Sequence, residues 1–373
     1  MKQLVLLALT TALAVPAYAQ APQSPQPLDA LDGVDTVILL QQGKETFGKS
    51  EHEVIRGRFR YLFSTPDTKA TFEKDPARYE IALGGMCARM GKGVRGNPSD
   101  YLVHDGRIYI FGSDECRQRF KEAPEKYLDK PRPAMSTAAA DSAAGRALID
   151  RIVASHEAST KFASFTTYRE RLTQVQKRPS GEASVTRNIV WRFPFDVRQE
   201  RTMALPSMPA PFTGTTVLTA DGAWGMAQGR VSEPPPGVLP SLQLDLMRHP
   251  LALLQVARHA GTALAKESLA TIEGTAVERV RIARGGLDVV LAADATSGRV
   301  HSVSFQDRSD EGEVGTYTIL YSDLRPEGGI LVPHTMRALF NGQPDPFQTW
   351  TIEAIEVNPT LDPALFQRPQ GGK

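Results

Sequence analysis

Net charge and cysteine are what this 373-residue chain has least of. Its 43 basic and 42 acidic residues leave a formal charge of +1, so it has no global basic field of the kind nucleic-acid binders use, and nothing points to an acidic partner or a membrane surface. No apolar run after the first twenty residues is long enough to span a bilayer, which argues against a transmembrane segment. Catalytic signatures are missing too. There is no Gly-x-Ser-x-Gly elbow, and His156-Glu157 lacks the second histidine of a zinc-protease helix, so the chain is not expected to be an enzyme.

Two glycine patterns are present but lack their context. Gly43 to Ser50 fits a phosphate loop, yet the residues after Ser50 lead within ten positions into the strand pattern Phe59–Phe63, where the mechanism needs a long helix. Gly91 to Gly96 fits a dinucleotide loop, but no strand-helix-strand unit surrounds it and Asn97-Pro98-Ser99 continues a loop.

The N-terminus carries Lys2, an apolar run from Leu4 to Val15, and Ala17-Tyr18-Ala19. This pattern predicts a signal peptide over 1–19 and an exported protein of the periplasm; no cysteine follows the cleavage site to take a lipid anchor. A Pro/Gln/Ser-rich lead-in is expected over 20–30, a first domain over 31–130, a linker over 131–145 and a second domain over 146–370.

One signature occurs twice. Tyr61, Phe63, Phe72, Pro76 and Tyr79 recur 48 positions later as Tyr109, Phe111, Phe120, Pro124 and Tyr127. Each copy reads as an aromatic strand, a turn and an amphipathic helix, a duplicated folding unit. Thr68 of the first copy corresponds to Cys116 of the second, and the other cysteine, Cys87, lies between the copies. In an exported chain a Cys87–Cys116 disulfide is the default expectation. Inert buried thiols are one alternative. The other is a soft-metal site for Cu(I) or Zn(II) that adds His104 and is still one ligand short of a tetrahedral set.

Beyond a helix with Leu148, Ile149, Ile152 and Val153 on one face, the pattern turns to strands: Thr186–Phe193, Val197–Met203, Thr216–Leu218, Val277–Ile282, Leu287–Ala292, Arg299–Gln306, Thr316–Tyr321, Val332–Phe340 and Gln348–Val357. Leu242 to Arg258 reads as helix divided or kinked at Pro250. Apolar residues alternate at Tyr317, Ile319 and Tyr321 and at Met336, Ala338 and Phe340, so one face of the sheet is buried. The aromatic residues Trp191, Phe193, Trp224, Phe305, Tyr321, Phe340 and Trp350 either fill that core or line a hydrophobic cavity within it.

Two resemblances follow from these residues. Gly33-Val34-Asp35, Tyr61-Leu62-Phe63-Ser64, the run Phe72 to Tyr79 and Gly84-Gly85-Met86-Cys87-Ala88 resemble the YHS domain family, and Arg107 to Cys116 is similar to the signature of the related TRASH-type metal-sensing modules. That signature has a cysteine where this chain has Gly112, so only Cys87 and Cys116 carry over. Tyr321 to Arg325, Gly329 to Pro333, Asn341-Gly342-Gln343 and Thr351 to Asn358 resemble the end of LolA/LolB-like lipoprotein-sorting domains. The resemblances imply an α+β protein: a small duplicated YHS-like module followed by a curved antiparallel β half-barrel with covering helices and a cavity for acyl chains. The expected function is non-catalytic binding of a hydrophobic or lipid ligand. The alternatives are metal sensing or handling through the thiols and a structural envelope protein without a ligand; no protein partner is legible.

Overall fold

The computed structural model describes residues 26–91, 94–130, 132–156, 161–178, 181–206, 208–234, 242–244, 247–309 and 311–369. The expected signal peptide, most of the lead-in, Lys92 and Gly93 of the glycine loop, Pro131 of the linker and Glu157 lie outside these residues. No helix among the described residues is long and apolar enough to cross a membrane. The chain divides into two compact units, one ending at Pro76 and the other beginning at Ala77.

In the first unit β1 (Leu28–Asp29), β2 (Lys49–Arg56) and β3 (Phe59–Phe63) form a sheet in the order β1-β3-β2. Tyr61 and Phe63 alternate inward from β3 and meet Phe72 of α2 (Pro66–Lys74), with ring centroids 4.8 and 5.0 Å apart. A short turn, Ala30–Gly33, holds Leu31 and Asp32 in left-handed conformation before α1 (Thr36–Gln42), which Asp35 caps through the N–H groups of Val37 and Ile38.

The second copy of the motif belongs to the other unit and repeats this construction. Ala82–Gly85 makes the same turn with Leu83 and Gly84 left-handed, followed by β4 (Asn97–His104), β5 (Arg107–Phe111) and α3 (Asp114–Glu122). Three backbone bonds and one side-chain cap repeat one for one. Val34 N to Leu31 O, Gly48 N to Gly33 O and Asp35 N to Thr46 O correspond to Met86 N to Leu83 O, Gly96 N to Gly85 O and Cys87 N to Val94 O, and each α-helix is capped from the preceding Thr65 or Ser113. Cys87 thus stands where Asp35 stands.

The remainder of that unit is one open, wholly antiparallel sheet of thirteen strands among the described residues, mixed with few helices. Its strands are β6 (Thr167–Arg178), β7 (Gly181–Arg192), β8 (Asp196–Ala204), β9 (Phe212–Thr219), β10 (Gly222–Ala227), β11 (Arg230–Ser232), β12 (Ala263–Ile272), β13 (Thr275–Arg284), β14 (Leu287–Asp294), β15 (Val300–Arg308), β16 (Val314–Glu327), β17 (Ile330–Phe340) and β18 (Gln343–Val357). The order β11-β10-β9-β8-β7-β6-β18-β17-β16-β15-β14-β13-β12 is two meanders joined where β6 pairs with β18. Tyr317, Ile319 and Tyr321 of β16 all reach the core, as their alternation predicts.

The sheet must curve strongly. Eight strand-to-strand steps separate β8 from β13, roughly 38 Å if laid flat at the usual spacing. Yet the Arg284 guanidinium at the end of β13 lies 4.5 Å from the centroid of Phe195, just before β8. Inside the curve sit α4 (Ala139–Ser155) and α5 (Pro250–Arg258). The expected stripe Leu148, Ile149, Ile152 and Val153 of α4 is buried in the common core. The helix begins at Ala139, inside the Ala/Ser stretch read as linker, because alanine favours helix more than any other residue. Gly145 lets α4 approach the backbone of β12, where a Cβ would lie 3.2 Å from Lys266 N. Pro250 occupies the first position of α5, where its missing N–H is harmless, and Leu251, Leu253 and Leu254 behind it are fully buried. Each such leucine contributes about 2 kcal/mol through removal of apolar surface from water.

Candidate functional site

The concave face of the sheet is not uniformly apolar. Along β6 the inward positions run Tyr168, Glu170, Leu172, Gln174, Gln176, and opposite them on β7 lie Trp191, Ile189, Arg187, Val185, Ala183. Five of the polar groups on this face, Glu170, Gln174, Gln176, Arg187 and Gln199, are buried. Burial of so many polar groups on one face is costly unless each is satisfied, so their concentration marks the region.

Two spaces open along this face. An inner cavity of about 30 Å³ is walled by Trp191, Tyr321 and Trp350 together with Glu170, Arg187 and His249. A more open groove of about 270 Å³ is lined by Phe195, Leu218, Met247, Val256 and Leu287, with Arg284 at its edge. Both touch one row of the sheet, Tyr168–Trp191–Val197–Leu218, in which neighbours pair directly across the strands. Met247 lines the groove and His249 the cavity, so one short segment separates the two.

The polar wall of the cavity has defined geometry. His249 caps α5, its Nδ1 accepting from the Leu251 N–H at 3.3 Å. That bond requires an unprotonated Nδ1 and puts the imidazole proton on Nε2. Nε2 lies 3.3 Å from Glu170 Oε2, but out of line for a hydrogen bond. The Tyr168 hydroxyl donates to the same carboxylate oxygen at 3.2 Å, and the Tyr321 hydroxyl donates to the Arg248 carbonyl at 2.9 Å. Burial, reinforced for Tyr168 by the Glu170 charge, pushes both phenols well above the ordinary tyrosine range, so they act as neutral donors. The Arg187 guanidinium stacks 4.3 Å from the Trp350 ring centroid. The indole N–H of Trp350, a residue only 3% exposed, has no hydrogen-bond partner among the described residues.

The seven aromatic residues singled out from sequence are not brought together as one set. Trp191, Tyr321 and Trp350 line the inner cavity. Phe305 and Phe340 pack on Tyr317, with centroids 5.8 and 4.9 Å away, and Phe193 packs on Phe165 at 4.8 Å. Trp224 lies in a separate cluster with Val190, Val217 and Phe366. Glu170, Arg187 and His249 were missed. For Glu170 the signal was the set of polar residues Glu170, Gln174 and Gln176 at alternate places of β6, interrupted by Leu172, which hides that strand from a search for apolar alternation; Arg187 and His249 lie outside that pattern.

The expected disulfide is corrected: Cys87 and Cys116 are both free, buried thiols. Each sulfur has other partners. The Met90, Gly112 and Arg89 N–H groups surround the Cys87 sulfur, while Arg89 Nη1 lies 3.9 Å from Cys116 Sγ. Burial pushes the Cys87 thiol up despite those N–H groups. The Cu(I) or Zn(II) expectation finds no third ligand. His104 sits beside Asp105, Nε2 to Oδ2 3.4 Å, and edge-on to Phe120, and no group of three His, Cys, Asp or Glu able to hold a metal occurs among the described residues.

Neither a protein-family model nor a characterised protein sequence matches the chain. Similar solved structures include a putative outer membrane lipoprotein-sorting protein domain from Vibrio parahaemolyticus, with TM-score 0.41 and 12% identity over 60% of this chain and 97% of that one. A DUF1329 family protein from Desulfovibrio piger aligns with TM-score 0.38 and 10% identity over 61% and 97%. A LolA superfamily protein from Nitrosomonas europaea aligns with TM-score 0.35 and 8% identity over 60% and 97%.

Proposed function

We propose that the curved sheet is a binding module for a hydrophobic or acyl-chain ligand. The observation that carries this reading is the groove of about 270 Å³, walled by Phe195, Leu218, Met247, Val256 and Leu287, on the concave face. Small-molecule sites are concave and mostly apolar with a few placed polar groups, and this groove has that composition. The Arg284 guanidinium at its edge is a cation for the polar end of an amphiphile or for its surroundings.

Delipidated protein should take up a fluorescent fatty acid saturably, and Phe195→Glu, which sets a charge in the wall, should weaken uptake at least tenfold. Uptake that never saturates, or that Phe195→Glu leaves unchanged, would sink the reading. One observation favours the alternative of a structural protein without a ligand: the inner cavity has only about 30 Å³ of room, so the core beside the groove is nearly filled. The same titration separates the two.

A further inference from the structure

Three parts of the fold meet at one edge of the groove. The guanidinium of Arg284, the last residue of β13, lies 4.5 Å from the Phe195 ring centroid, and its Nη1 donates to the Ala260 carbonyl, just beyond α5, at 2.7 Å. The His259 imidazole meets the same Phe195 ring edge-on, with centroids 4.7 Å apart, and its Nδ1–H donates to the same carbonyl at 2.8 Å. Gly261, with φ +80°, lets the guanidinium lie against the chain, since a Cβ there would stand 3.3 Å from Nη1. The cation is therefore positioned by the protein itself, which lowers the cost of ordering it around a ligand.

The charge at this edge is unbalanced. Arg284 is the one ionisable residue on the groove wall, and no carboxylate pairs with it among the described residues. The acids next to the wall in sequence, Asp196 beside Phe195 and Asp288 beside Leu287, are both engaged. Asp196 is held by Arg192 and the Ala220 N–H, and Asp288 by Arg281 and Arg132. Of the five N–H donors that a guanidinium carries, the Ala260 carbonyl takes one.

We infer that the groove selects an amphiphile with one negative charge, an ionised carboxylate, which pairs with Arg284 while its chain lies along Leu218, Val256 and Leu287. The inference rests on the acyl-ligand reading of the groove and adds which end of the ligand is recognised, making Arg284 a specificity-determining residue. A planar carboxylate matches the guanidinium fork and can take two parallel N–H bonds from it. One cation balances one charge, whereas a phosphate monoester carries more than one and would leave part of it uncompensated beside an apolar wall. Arg284 and the apolar residues line the same space, so head and chain share a single site.

Calorimetric titration of the full protein with octanoate, octanol and octyltrimethylammonium tests this. Octanoate should bind at least about tenfold more tightly than octanol, and the ammonium compound more weakly than either. The octanoate preference should shrink severalfold between about 0.05 and 0.5 M salt, a readout that needs no variant. Arg284→Gln should abolish the preference with octanol binding unchanged, and Arg284→Lys, which keeps the cation without the fork, should retain part of it. Equal binding of octanoate and octanol to the unaltered protein, or a preference that salt leaves unchanged, would overturn the inference while leaving the acyl-ligand reading intact. Loss of octanoate and octanol binding alike in Arg284→Gln would make Arg284 a support of the groove wall and overturn its role in selecting the head. Binding of none of the three compounds would overturn both readings.

Discussion

Asp35 Oδ2 accepts a hydrogen bond from Thr68 Oγ1 at 2.8 Å, and the two positions that correspond to this pair in the second motif are held by Cys87 and Cys116. The match extends to the surrounding N–H groups. Asp35 accepts from Val37, Ile38 and Ser64, at the second and third residues after it and on the facing strand end. Cys87 accepts from Arg89, Met90 and Gly112, which stand in the same places. One backbone nest therefore holds a carboxylate in one copy and a sulfur in the other.

If the nests are interchangeable, Cys87→Asp combined with Gly112→Ser and Cys116→Thr should fold and melt within a few degrees of the unaltered protein. Asp35→Ala, which strands five hydrogen bonds at a fully buried site, should instead cost about 3 kcal/mol in urea denaturation of the unit that contains it. A triple variant that fails to fold would show that the second nest needs its sulfurs.

The thiols should titrate as two per chain in urea with no reductant added, since both are free. Under native conditions Cys116, at 8% exposure and beside Arg89, should be alkylated before Cys87, which is fully buried and whose thiol is pushed up by burial. Mass spectrometry after timed alkylation reads the order. Thiols that appear only after reduction would contradict the free state.

Gly312 is where the β15–β16 hairpin meets the Cys87–Arg89 turn. Its φ is +88°, and a Cβ there would lie 2.0 Å from the Arg89 carbonyl oxygen. Arg308 Nη1 reinforces the contact through the Gly312 and Ala88 carbonyls at 3.1 and 3.4 Å. Gly312→Ala should destabilise by more than about 2 kcal/mol and speed alkylation of Cys116. Unchanged alkylation would place the second motif's integrity elsewhere.

His156 is buried between Leu331 O, 2.7 Å from Nδ1, and the Val300 N–H, which donates to Nε2 at 3.1 Å. Burial holds its folded-state pKa below the usual 6.5. The unfolded chain then takes up a proton at a higher pH than the folded one. Stability from the neutral imidazole is whole above about pH 6.5 and drains as pH falls toward the folded value. His156→Gln should lower stability at pH 7 by about 1–3 kcal/mol and flatten the loss between pH 6.5 and 5. The slope that remains is expected from His301, also lowered by burial. Urea midpoints across that range that fall as steeply in the variant would count against His156 as the source.

Much of the architecture was legible because it depends on local pattern. The alternation at Tyr317, Ile319 and Tyr321, the α4 stripe, the break at Pro250 and the paired aromatic motif each follow from neighbours a few residues apart, and each took the expected form. The likeness of Asp35 to Cys87 stayed hidden for a countable reason. From Thr46 and Val94 onward the copies are offset by 48, but the turns before them are offset by 52, because the segment holding α1 is four residues longer in the first copy.

What the tertiary structure alone decided is which polar groups face inward and what they meet there. Glu170 and His249 lie 79 positions apart and Arg187 and Trp350 lie 163 apart; only the pairing of β6 with β18 and the curvature of the sheet bring them to one cavity. Periodicity along a strand names its two faces, but the closure of a long sheet around a helix determines which face loses water. The thiols follow the same logic: their number and the expected export suggested a bond, while the backbone N–H groups around Cys87 and the guanidinium beside Cys116 supply the contacts that each sulfur makes.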